Sequence, residues 1–440
     1  MYNNFVMFME KLSMELVEKI SKQKGEPVWM LEFRKKSYEK FLELDNPKFG
    51  PKLEIDFDNI NYYKKVGNNE TDWKNVSCDI RNKFKALGVI DAEEKHLSGV
   101  TNQMESEVIY HKGKDELKDK GVIFLSSDDA LKQYPDLFKE YFNNLVKYDE
   151  NKYTALNGAL WSGGSFIYIP PHTKLDRPLQ SYFRIESESL GQFERTIIIV
   201  DEGAELSYIE GCTAMSYSAN SLHAGVVEIY VKDNAKCKYS TIQNWSKDVN
   251  NLVTKRAIVG SNGLMEWVDG NLGSKVTMKY PACILMGDNA VGNSISIAYA
   301  KEGQVLDAGA KMIHIGKNTR SNIVSKSIAE GGGTANYRGL TKICEGAINS
   351  YASIKCDTIM LDDNSISDTI PTNQVLNDSS VLEHEATVSK INEEKLFYLM
   401  SRGLTENKAK ELLVMGFIND FKNELPMEYA VELNRLMKEI

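Results

Sequence analysis

Apolar residues recur with helical spacing in the first part of the chain. Between residues 7 and 44 the spacing is that of an amphipathic helix, and Pro27 stands where proline suits a first helical turn. The signals that follow are mixed, and a polar stretch from Gly67 to Lys74 is typical of a loop. We therefore predict a helical domain over 1–64 and an α/β insertion over 65–154.

The pattern changes between residues 155 and 390, where Val, Ile, Thr, Tyr, Gly and Asn are frequent and helical spacing is scarce. A five-residue motif recurs in this region, with an apolar residue first, Gly or Asn fourth and a small residue last. Successive copies start 31, 28, 27, 29, 28 and 18 residues apart. The copies are Val200-Asp-Glu-Gly-Ala204, Val231-Lys-Asp-Asn-Ala235, Val259-Gly-Ser-Asn-Gly263, Met286-Gly-Asp-Asn-Ala290, Ile315-Gly-Lys-Asn-Thr319, Ile343-Cys-Glu-Gly-Ala347 and Leu361-Asp-Asp-Asn-Ser365.

A Gly or Asn at one phase of a repeat indicates a backbone position with positive φ, so each copy of the motif predicts a turn. Short strands separated by turns at a fixed period are typical of a β-solenoid, whose coils bury their inward faces against their neighbours. A barrel or a sandwich is the alternative, but sandwich turns lack a fixed phase. The glycines at Gly163-Gly164 and Gly331-Gly332-Gly333 are predicted to form corners of the solenoid.

Helical spacing returns after residue 390. It covers Glu393 to Met400, Thr405 to Met415 and a last segment that begins at Pro426. We predict a C-terminal helical domain over 391–440, so that helices flank a mainly β core over 155–390.

Composition and charge exclude several classes of protein. A formal charge of -9 and an isoelectric point near 5.4 argue against nucleic acid as the main partner, because phosphate binding needs clustered Lys and Arg. No apolar stretch approaches the roughly 20 residues of a membrane span, and Met1 to Ile20 lacks the apolar core of a signal peptide. The six cysteines have irregular spacings, which predict neither a zinc site nor a disulfide framework. We expect a cytoplasmic protein in a reducing compartment.

The repeat allows positions on neighbouring coils to be compared. Cys212 and Gln243 each stand twelve residues after the start of a motif copy, so we predict that they lie side by side. Side chains two apart on a strand share a face, which places Glu210 with Cys212, and Thr241 and Trp245 with Gln243. The plainer interpretation is that Cys212 is a small buried residue, as free cysteines usually are, and that burial makes it inert.

A second group consists of Cys356 and the segment Glu383-His384-Glu385, which stands 27 to 29 residues later, about one repeat length. A thiolate suits iron-sulfur chemistry, and carboxylate or imidazole can complete an iron site that later releases its product. The alternative is a core cysteine beside a solvated edge of Glu-His-Glu.

Six segments carry a likeness to a known family. They are Gly25-Glu-Pro-Val-Trp-Met-Leu-Glu-Phe-Arg34, Trp161-Ser-Gly-Gly-Ser165, Gly191-Gln-Phe-Glu-Arg195, Glu210-Gly-Cys-Thr213, Gln243-Asn-Trp245 and Leu382-Glu-His-Glu-Ala-Thr387. Together they resemble the SufB family, over nearly the whole chain. The resemblance implies a scaffold for iron-sulfur cluster assembly in the SUF system, not an enzyme, built as a right-handed parallel β-helix between helical domains.

The resemblance also implies roles for particular residues. Cys212, with Glu210 beside it, would accept persulfide sulfur from a desulfurase system. The sulfur path would continue along Arg184, Thr241, Gln243, Trp245 and Lys255. The nascent iron-sulfur cluster and its iron would be held by Cys356, Glu385, Glu383 and His384. Glu186 is a departure from the family pattern, which has Asn two residues after the arginine that matches Arg184, and the exchange adds a negative charge to the path.

Partners follow from the same resemblance. A C-type ABC ATPase would bind the C-terminal helical domain, and a D-type paralogue or a second copy of the chain would complete the cluster interface. The cluster would pass to apo iron-sulfur proteins, and the sequence leaves open whether reduced flavin binds the complex. Cys356 and the two glutamates favour the B type over the D type, which generally lacks them.

Two other functions are possible on the sequence alone. One is a structural subunit of the D type that stabilises the ATPase complex without holding a cluster. The other is a carbohydrate-active β-helix enzyme, which would need clustered carboxylates in a groove and commonly has a secretory signal. The absence of a recognisable signal argues against the enzyme.

Overall fold

The computed structural model describes residues 6–8, 11–86, 90, 93, 96–214, 221–419 and 421. The helix predicted from Pro426 lies outside these residues. The helices described are α1 (Met14–Lys24), α2 (Val28–Glu43), α3 (Cys78–Ala86), α4 (Asp115–Asp119), α5 (Ser127–Gln133), α6 (Pro135–Tyr141), α7 (Lys152–Leu160), α8 (Glu393–Ser401) and α9 (Glu406–Phe417), with a 3-10 turn at Phe57–Asn59.

The strands occupy the middle of the chain, apart from a short antiparallel pair near its start. They are β1 (Val6–Phe8), β2 (Tyr63–Lys65), β3 (Gly99–Met104), β4 (Glu107–Gly113), β5 (Ile123–Ser126), β6 (Ser165–Ile169), β7 (Leu179–Ile185), β8 (Gly191–Gln192), β9 (Arg195–Val200), β10 (Glu205–Ala214), β11 (Ser221–His223), β12 (Val226–Val231), β13 (Lys236–Trp245), β14 (Val249–Val259), β15 (Leu264–Gly273), β16 (Val276–Lys279), β17 (Ala282–Leu285), β18 (Val291–Ala300), β19 (Val305–Ala308), β20 (Lys311–His314), β21 (Arg320–Ala329), β22 (Thr334–Ile343), β23 (Tyr351–Met360), β24 (Thr369–Val375) and β25 (Val381–Lys390).

The strands stack in parallel and form a β-solenoid of about eight turns in the part of the chain that the structure describes. One wall runs β25-β23-β21-β18-β15-β13-β10-β7-β3-β4, and the facing wall runs β16-β19-β22-β20-β17-β14-β12-β9-β6-β5. The antiparallel strands β4 and β5 close the first end of the two walls. The predicted solenoid is confirmed, and the barrel and sandwich alternatives are wrong.

The recurring motif forms the corners that lead from the second wall to the first. The fourth residue has positive φ in the first five copies, at Gly203, Asn234, Asn262, Asn289 and Asn318, which confirms the predicted turns. The side-chain amides of Asn262 and Asn289 each donate to the preceding asparagine, at 3.2 and 3.1 Å. Stacked side chains of this kind tie one corner to the next.

The last two motif copies depart from the pattern of the first five, although the sixth still forms a turn. In the sixth, Asn349 takes the positive φ and Gly346 does not. Leu361 to Ser365 lies at the opposite corner, after β23, and the turn that continues the series is at 376–380, before β25. This explains the short interval of 18 residues. Gly331-Gly332-Gly333 is a corner between β21 and β22, as predicted, whereas Gly163-Gly164 joins α7 to β6.

Buried ion pairs fix the N-terminal helices against the solenoid. The Arg34 guanidinium in α2 donates to both carboxylate oxygens of Glu26, at 2.5 and 2.7 Å, and to the carbonyl oxygens of Ala159 and Trp161. The pair is almost fully buried, so both charges have been removed from water. Its hydrogen bonds compensate much of the free-energy cost of that desolvation. Two segments of the family resemblance, 25–34 and 161–165, therefore meet here for a structural reason.

The other end of the chain leaves two features exposed. Helix α9 packs Val414 against the outer face of the first wall, but α8 turns Phe397 and Tyr398 to solvent. The last strands, β24 and β25, have a pairing partner on one side only among the described residues. No helix in the described part of the chain combines the length and apolar character needed to cross a membrane.

Candidate functional site

Alternate residues of the first wall point into the solenoid. Tyr208, Tyr239 and Trp267 pack there with residues of the facing wall such as Ile229 and Cys283. Because side chains alternate along a strand, the positions two and four residues further on also face the interior. Glu210, Cys212 and their equivalents on later coils are therefore interior residues.

The strand register defines two neighbouring columns of interior side chains. The Glu210 column consists of Ser181, Glu210, Thr241, Asp269, Ser296, Ser325, Cys356 and Ala386. The Cys212 column consists of Phe183, Cys212, Gln243, Asn271, Ala298, Ser327, Thr358 and Val388. The predicted neighbours Cys212 and Gln243 are confirmed. Cys356 belongs to the column next to that of Cys212, five coils further along.

The Cys212 thiol is fully buried between Phe183 and Trp245. Its sulfur lies 3.9 Å from a carboxylate oxygen of Glu210 and 3.9 Å from the Gln243 amide nitrogen. Burial, and then the Glu210 carboxylate, raise the pKa of the Cys212 thiol well above its usual range. The resting residue is therefore a protonated thiol rather than a thiolate.

Two buried ammonium groups face the columns from the second wall. Lys255 Nζ lies 3.1 Å from a Glu210 oxygen and over the Tyr239 ring, whose hydroxyl donates to the same carboxylate. Lys279 Nζ lies 2.9 Å from an Asp269 oxygen and 2.9 Å from the Gln243 amide oxygen. Both lysine side chains are fully buried. The buried carboxylates of Glu210 and Asp269 therefore each have a buried cation beside them.

Burial affects the two ammonium groups differently. Desolvation lowers the pKa of Lys279 to about 8, although Asp269 opposes the effect. Desolvation also acts on Lys255, but the carboxylates, Glu210 foremost, raise its pKa overall. Of these two lysines, Lys279 is therefore the one that loses its proton more readily.

The polar interior extends sideways from Gln243. The amide nitrogen of Asn251 donates to the Gln243 oxygen at 2.8 Å, and the His223 ring contacts Asn251 at 2.7 Å and Glu194 at 2.5 Å. Sequence reasoning missed these residues, and it missed Lys279. Asp269 could have been predicted from the sequence, because it stands 28 residues after Thr241, which is one repeat length.

Arg184 does not line this interior. It pairs with Thr213 in the register, one residue beyond Cys212, so it projects from the opposite face of its strand. There its guanidinium lies 2.6 Å from a Glu186 oxygen, so the departure noted in the sequence forms an ion pair. The expectation that Arg184 belongs to the interior path is corrected, whereas Thr241, Gln243, Trp245 and Lys255 are interior residues.

Cys356 is the last residue but one of the Glu210 column, near the open end of the solenoid. It is 3% exposed and packs in the interior cluster with Tyr337 of the facing wall. Burial raises the pKa of its thiol to about 12, against a smaller opposite effect of the Tyr337 hydroxyl. On the next coil Ala386 stands opposite Cys356, and His384 shares the inward face, where its Nδ1 lies 3.2 Å from the Asn373 amide nitrogen.

The two glutamates of the predicted cluster site face the other way. Glu383 accepts a hydrogen bond from the Tyr351 hydroxyl at 2.8 Å, and Glu385 lies 3.5 Å from Lys355 Nζ, both on the outer face of the wall. Across the described residues, no three His, Cys, Asp or Glu side chains are placed to hold a metal ion together. Within one chain Cys356 and His384 therefore face inward and the two glutamates face outward, and their predicted role in holding a cluster at a subunit interface stays a prediction.

Comparisons with known proteins give a consistent result. A family model described as the SUF system FeS cluster assembly, SufBD core domain, matches residues 183–417, and one described as the SufBD protein N-terminal region matches 18–181. Iron-sulfur cluster assembly SufBD family proteins of Staphylococcus saprophyticus, Staphylococcus epidermidis and Staphylococcus aureus are each 56% identical over 429 residues. Each alignment covers 97% of this chain and 92% of the relative.

Proposed function

Because this chain belongs to the SufBD family of iron-sulfur cluster assembly proteins of the SUF system, we propose that it is the B-type scaffold of that system. In this role it accepts sulfane sulfur at Cys212 and supports the assembly of a transient cluster at Cys356. The observation that carries the proposal is the continuous register that links Glu210, beside Cys212, to Cys356 through an interior with buried charges.

Energetics support a functional reason for this interior. A buried ion pair is seldom more stabilising than well-packed apolar residues of the same volume, because desolvation offsets the Coulomb attraction. The Lys255–Glu210 and Lys279–Asp269 pairs nevertheless occupy the interior within two coils of Cys212. Thr241 Oγ1 and Asn271 Oδ1 are buried there without a hydrogen-bond partner. Buried polar atoms without hydrogen-bond partners suit an interior that takes up water or a small polar species.

We assign the predicted residues to two roles. Cys212, Glu210, Gln243 and Lys255 receive and hold the incoming sulfur. Cys356 and His384 share the inward face of the last coils, where a cluster would find one thiolate and one imidazole. Glu383 and Glu385 face outward, so they reach iron only after a rearrangement or from a neighbouring subunit. Assembly at Cys356 therefore requires either a rearrangement of the last strands or ligands from a second chain.

The exposed features of the C-terminal half fit the expected partners. The unpaired edges of β24 and β25, with exposed Leu376 and Val381, suit a second solenoid, either a D-type paralogue or another copy. The exposed aromatic residues of α8 suit an ABC-type ATPase. We propose both docking sites on this basis, with apo iron-sulfur proteins as the final acceptors.

The outward glutamates favour one second candidate, a structural D-type subunit that holds no cluster. Anaerobic reconstitution separates the two functions. The purified chain is mixed with its partner subunits, ferrous iron and a sulfur donor, and visible absorbance and acid-labile sulfide are measured. We expect a cluster in the wild type and its loss in Cys212→Ala and Cys356→Ala.

Cys237→Ala is the matched control, because Cys237 is also a buried interior thiol of the first wall but lies outside both columns. It should assemble a cluster like the wild type. A colourless wild-type complex, or equal loss in the control, would favour the structural subunit.

A further inference from the structure

The distance between Cys212 and Cys356 restricts how sulfur can pass between them. They stand five strand spacings apart along the solenoid, about 24 Å at the usual spacing of about 4.8 Å. Both are held within central strands that pair on both sides. Direct transfer of sulfane sulfur needs contact between the attacking thiolate and the persulfide. The two residues of one chain cannot exchange sulfur in a single step.

A relay through Cys237 or Cys283, the other two buried cysteines, is also excluded by position. Cys237 pairs with Leu206 and Met265, four residues before Thr241 on its strand, which corresponds to about 13 Å along the strand. Cys283 lies on the facing wall, where its sulfur accepts a hydrogen bond from Trp267 Nε1 at 3.2 Å. Both thiols belong to the apolar part of the interior. Sulfur on this route must therefore travel unattached.

The unattached form is hydrosulfide, and its release is a balanced reduction. A persulfide on Cys212 and a dithiol give the free Cys212 thiol, one disulfide and one hydrogen sulfide. The dithiol loses two electrons, and the sulfane sulfur gains them. Of the three protons, one ends on the Cys212 thiol and two end on hydrogen sulfide. Hydrogen sulfide then loses one proton and becomes the hydrosulfide anion.

An anion in this interior needs a cation with a free donor. The Lys279 ammonium has three N–H groups. Gln243 accepts a hydrogen bond from one of them, and the Asp269 carboxylate forms an ion pair with the ammonium at 2.9 Å. The nearby Thr241 hydroxyl and Asn271 amide oxygen are buried without hydrogen-bond partners, so they can donate to and accept from a species that carries one S–H. Resting on the proposed function, we propose that Lys279, with Thr241 and Asn271, binds hydrosulfide between Cys212 and Cys356.

The placement of Lys279 supports this assignment. Its partners Gln243 and Asp269 lie one and two coils beyond Cys212, so it is the next ammonium after Lys255 on the way to Cys356. Beyond it, the Ser296 hydroxyl donates to Ser325 at 3.1 Å, and Ser325 is the register neighbour of Cys356. Desolvation by burial lowers the pKa of Lys279, and Asp269 offsets only part of this effect.

The test measures binding of sodium hydrosulfide to the purified full chain by anaerobic equilibrium dialysis, without iron or a sulfur donor. Bound sulfide is trapped with a bimane reagent. The main variant combines Lys279→Met with Asp269→Asn, which removes the cation without leaving Asp269 unpaired. Lys279→Arg keeps the charge. Lys326→Met is the control, because Lys326 also pairs with an aspartate, Asp357, but on the outer face of the wall.

We expect saturable binding by the wild type and at least about tenfold weaker binding by the double variant, because a hydrogen bond to a charged group is lost. Lys279→Arg and Lys326→Met should bind like the wild type. Equal binding by the double variant, or no saturable binding by the wild type, would overturn the assignment. Cluster reconstitution tests the proposed function separately, so either result can fail alone.

Discussion

Removing the ammonium group of Lys255 would leave the Glu210 carboxylate buried without its cation. The two charged atoms lie 3.1 Å apart, and neither side chain is more than 2% exposed. At that separation and an effective dielectric constant of about 20, the Coulomb attraction is about 5 kcal/mol. Loss of one partner from a buried pair typically costs about 3–5 kcal/mol. We therefore expect Lys255→Met to lower the free energy of unfolding by about 4 kcal/mol.

The pair of substitutions Lys255→Met and Glu210→Gln should behave differently. It removes both charges, and the amide oxygen of the new glutamine can still accept the hydrogen bond that the Tyr239 hydroxyl donates to Glu210. We expect its stability to lie within about 1 kcal/mol of the wild type, because no charge is left unpaired. Cluster assembly should not recover, since the cation beside Cys212 is still missing.

Thermal and urea unfolding followed by circular dichroism, under anaerobic conditions, provide the stability assay. Stacked coils can unfold in more than one step, so the midpoints of corresponding transitions are compared between variants. Visible absorbance after reconstitution provides the functional assay. If Lys255→Met unfolds at the wild-type midpoint, the pair does not lie in a low-dielectric interior. If the double variant assembles clusters normally, Lys255 has no part in sulfur handling.

Three further predictions concern other parts of the chain. Burial lowers the pKa of His314 to about 4 from 6.5, so the folded state binds fewer protons than the unfolded state and loses stability as pH falls from 6.5 to 4. His314→Gln should therefore remove about 3 kcal/mol of this loss of folding stability at pH 4. The measurement is the unfolding midpoint as a function of pH, and the same pH dependence in the variant and the wild type would contradict the burial of His314. Asn262 has φ +55°, so Asn262→Ala should cost about 1 kcal/mol more than Asn262→Gly; equal thermal midpoints would refute this. Glu385 is 66% exposed, so Glu385→Gln should leave the thermal midpoint unchanged, and a lowered midpoint would contradict its outward orientation.

The repeat allowed part of the site to be predicted from the sequence. Parallel strands that stack in register preserve the phase of the motif, so equal offsets from two copies identify register neighbours. This is why Cys212 and Gln243 were paired correctly. The phase failed at Leu361, because the opposite corner after β23 carries the same residue types as the motif. Turn chemistry identifies a turn, but not which of two corners it forms.

The outward orientations of Arg184 and of the two glutamates were not predicted, for a different reason. A shift of one residue along a strand moves a side chain to the other face, so nearness in sequence to an interior residue says nothing about orientation. Leu382 packs against the interior cluster, and from that position alternation places Glu383 and Glu385 outside. Lys279 could not be predicted in this way, because its contacts with Asp269 and Gln243 cross between the two walls.

The polar columns are compatible with a stable fold because a second strip of the same interior is apolar. Tyr208, Tyr239 and Trp267 stand two residues before Glu210, Thr241 and Asp269, and they pack with aliphatic residues of the facing wall. Burial of those large side chains stabilises each coil by the hydrophobic effect. The neighbouring positions are thereby free to hold charged and hydroxyl groups, which stabilise little on their own. Each coil therefore contributes large apolar side chains to one strip of the interior and polar side chains to the other. Successive coils extend both strips along the solenoid as far as Cys356.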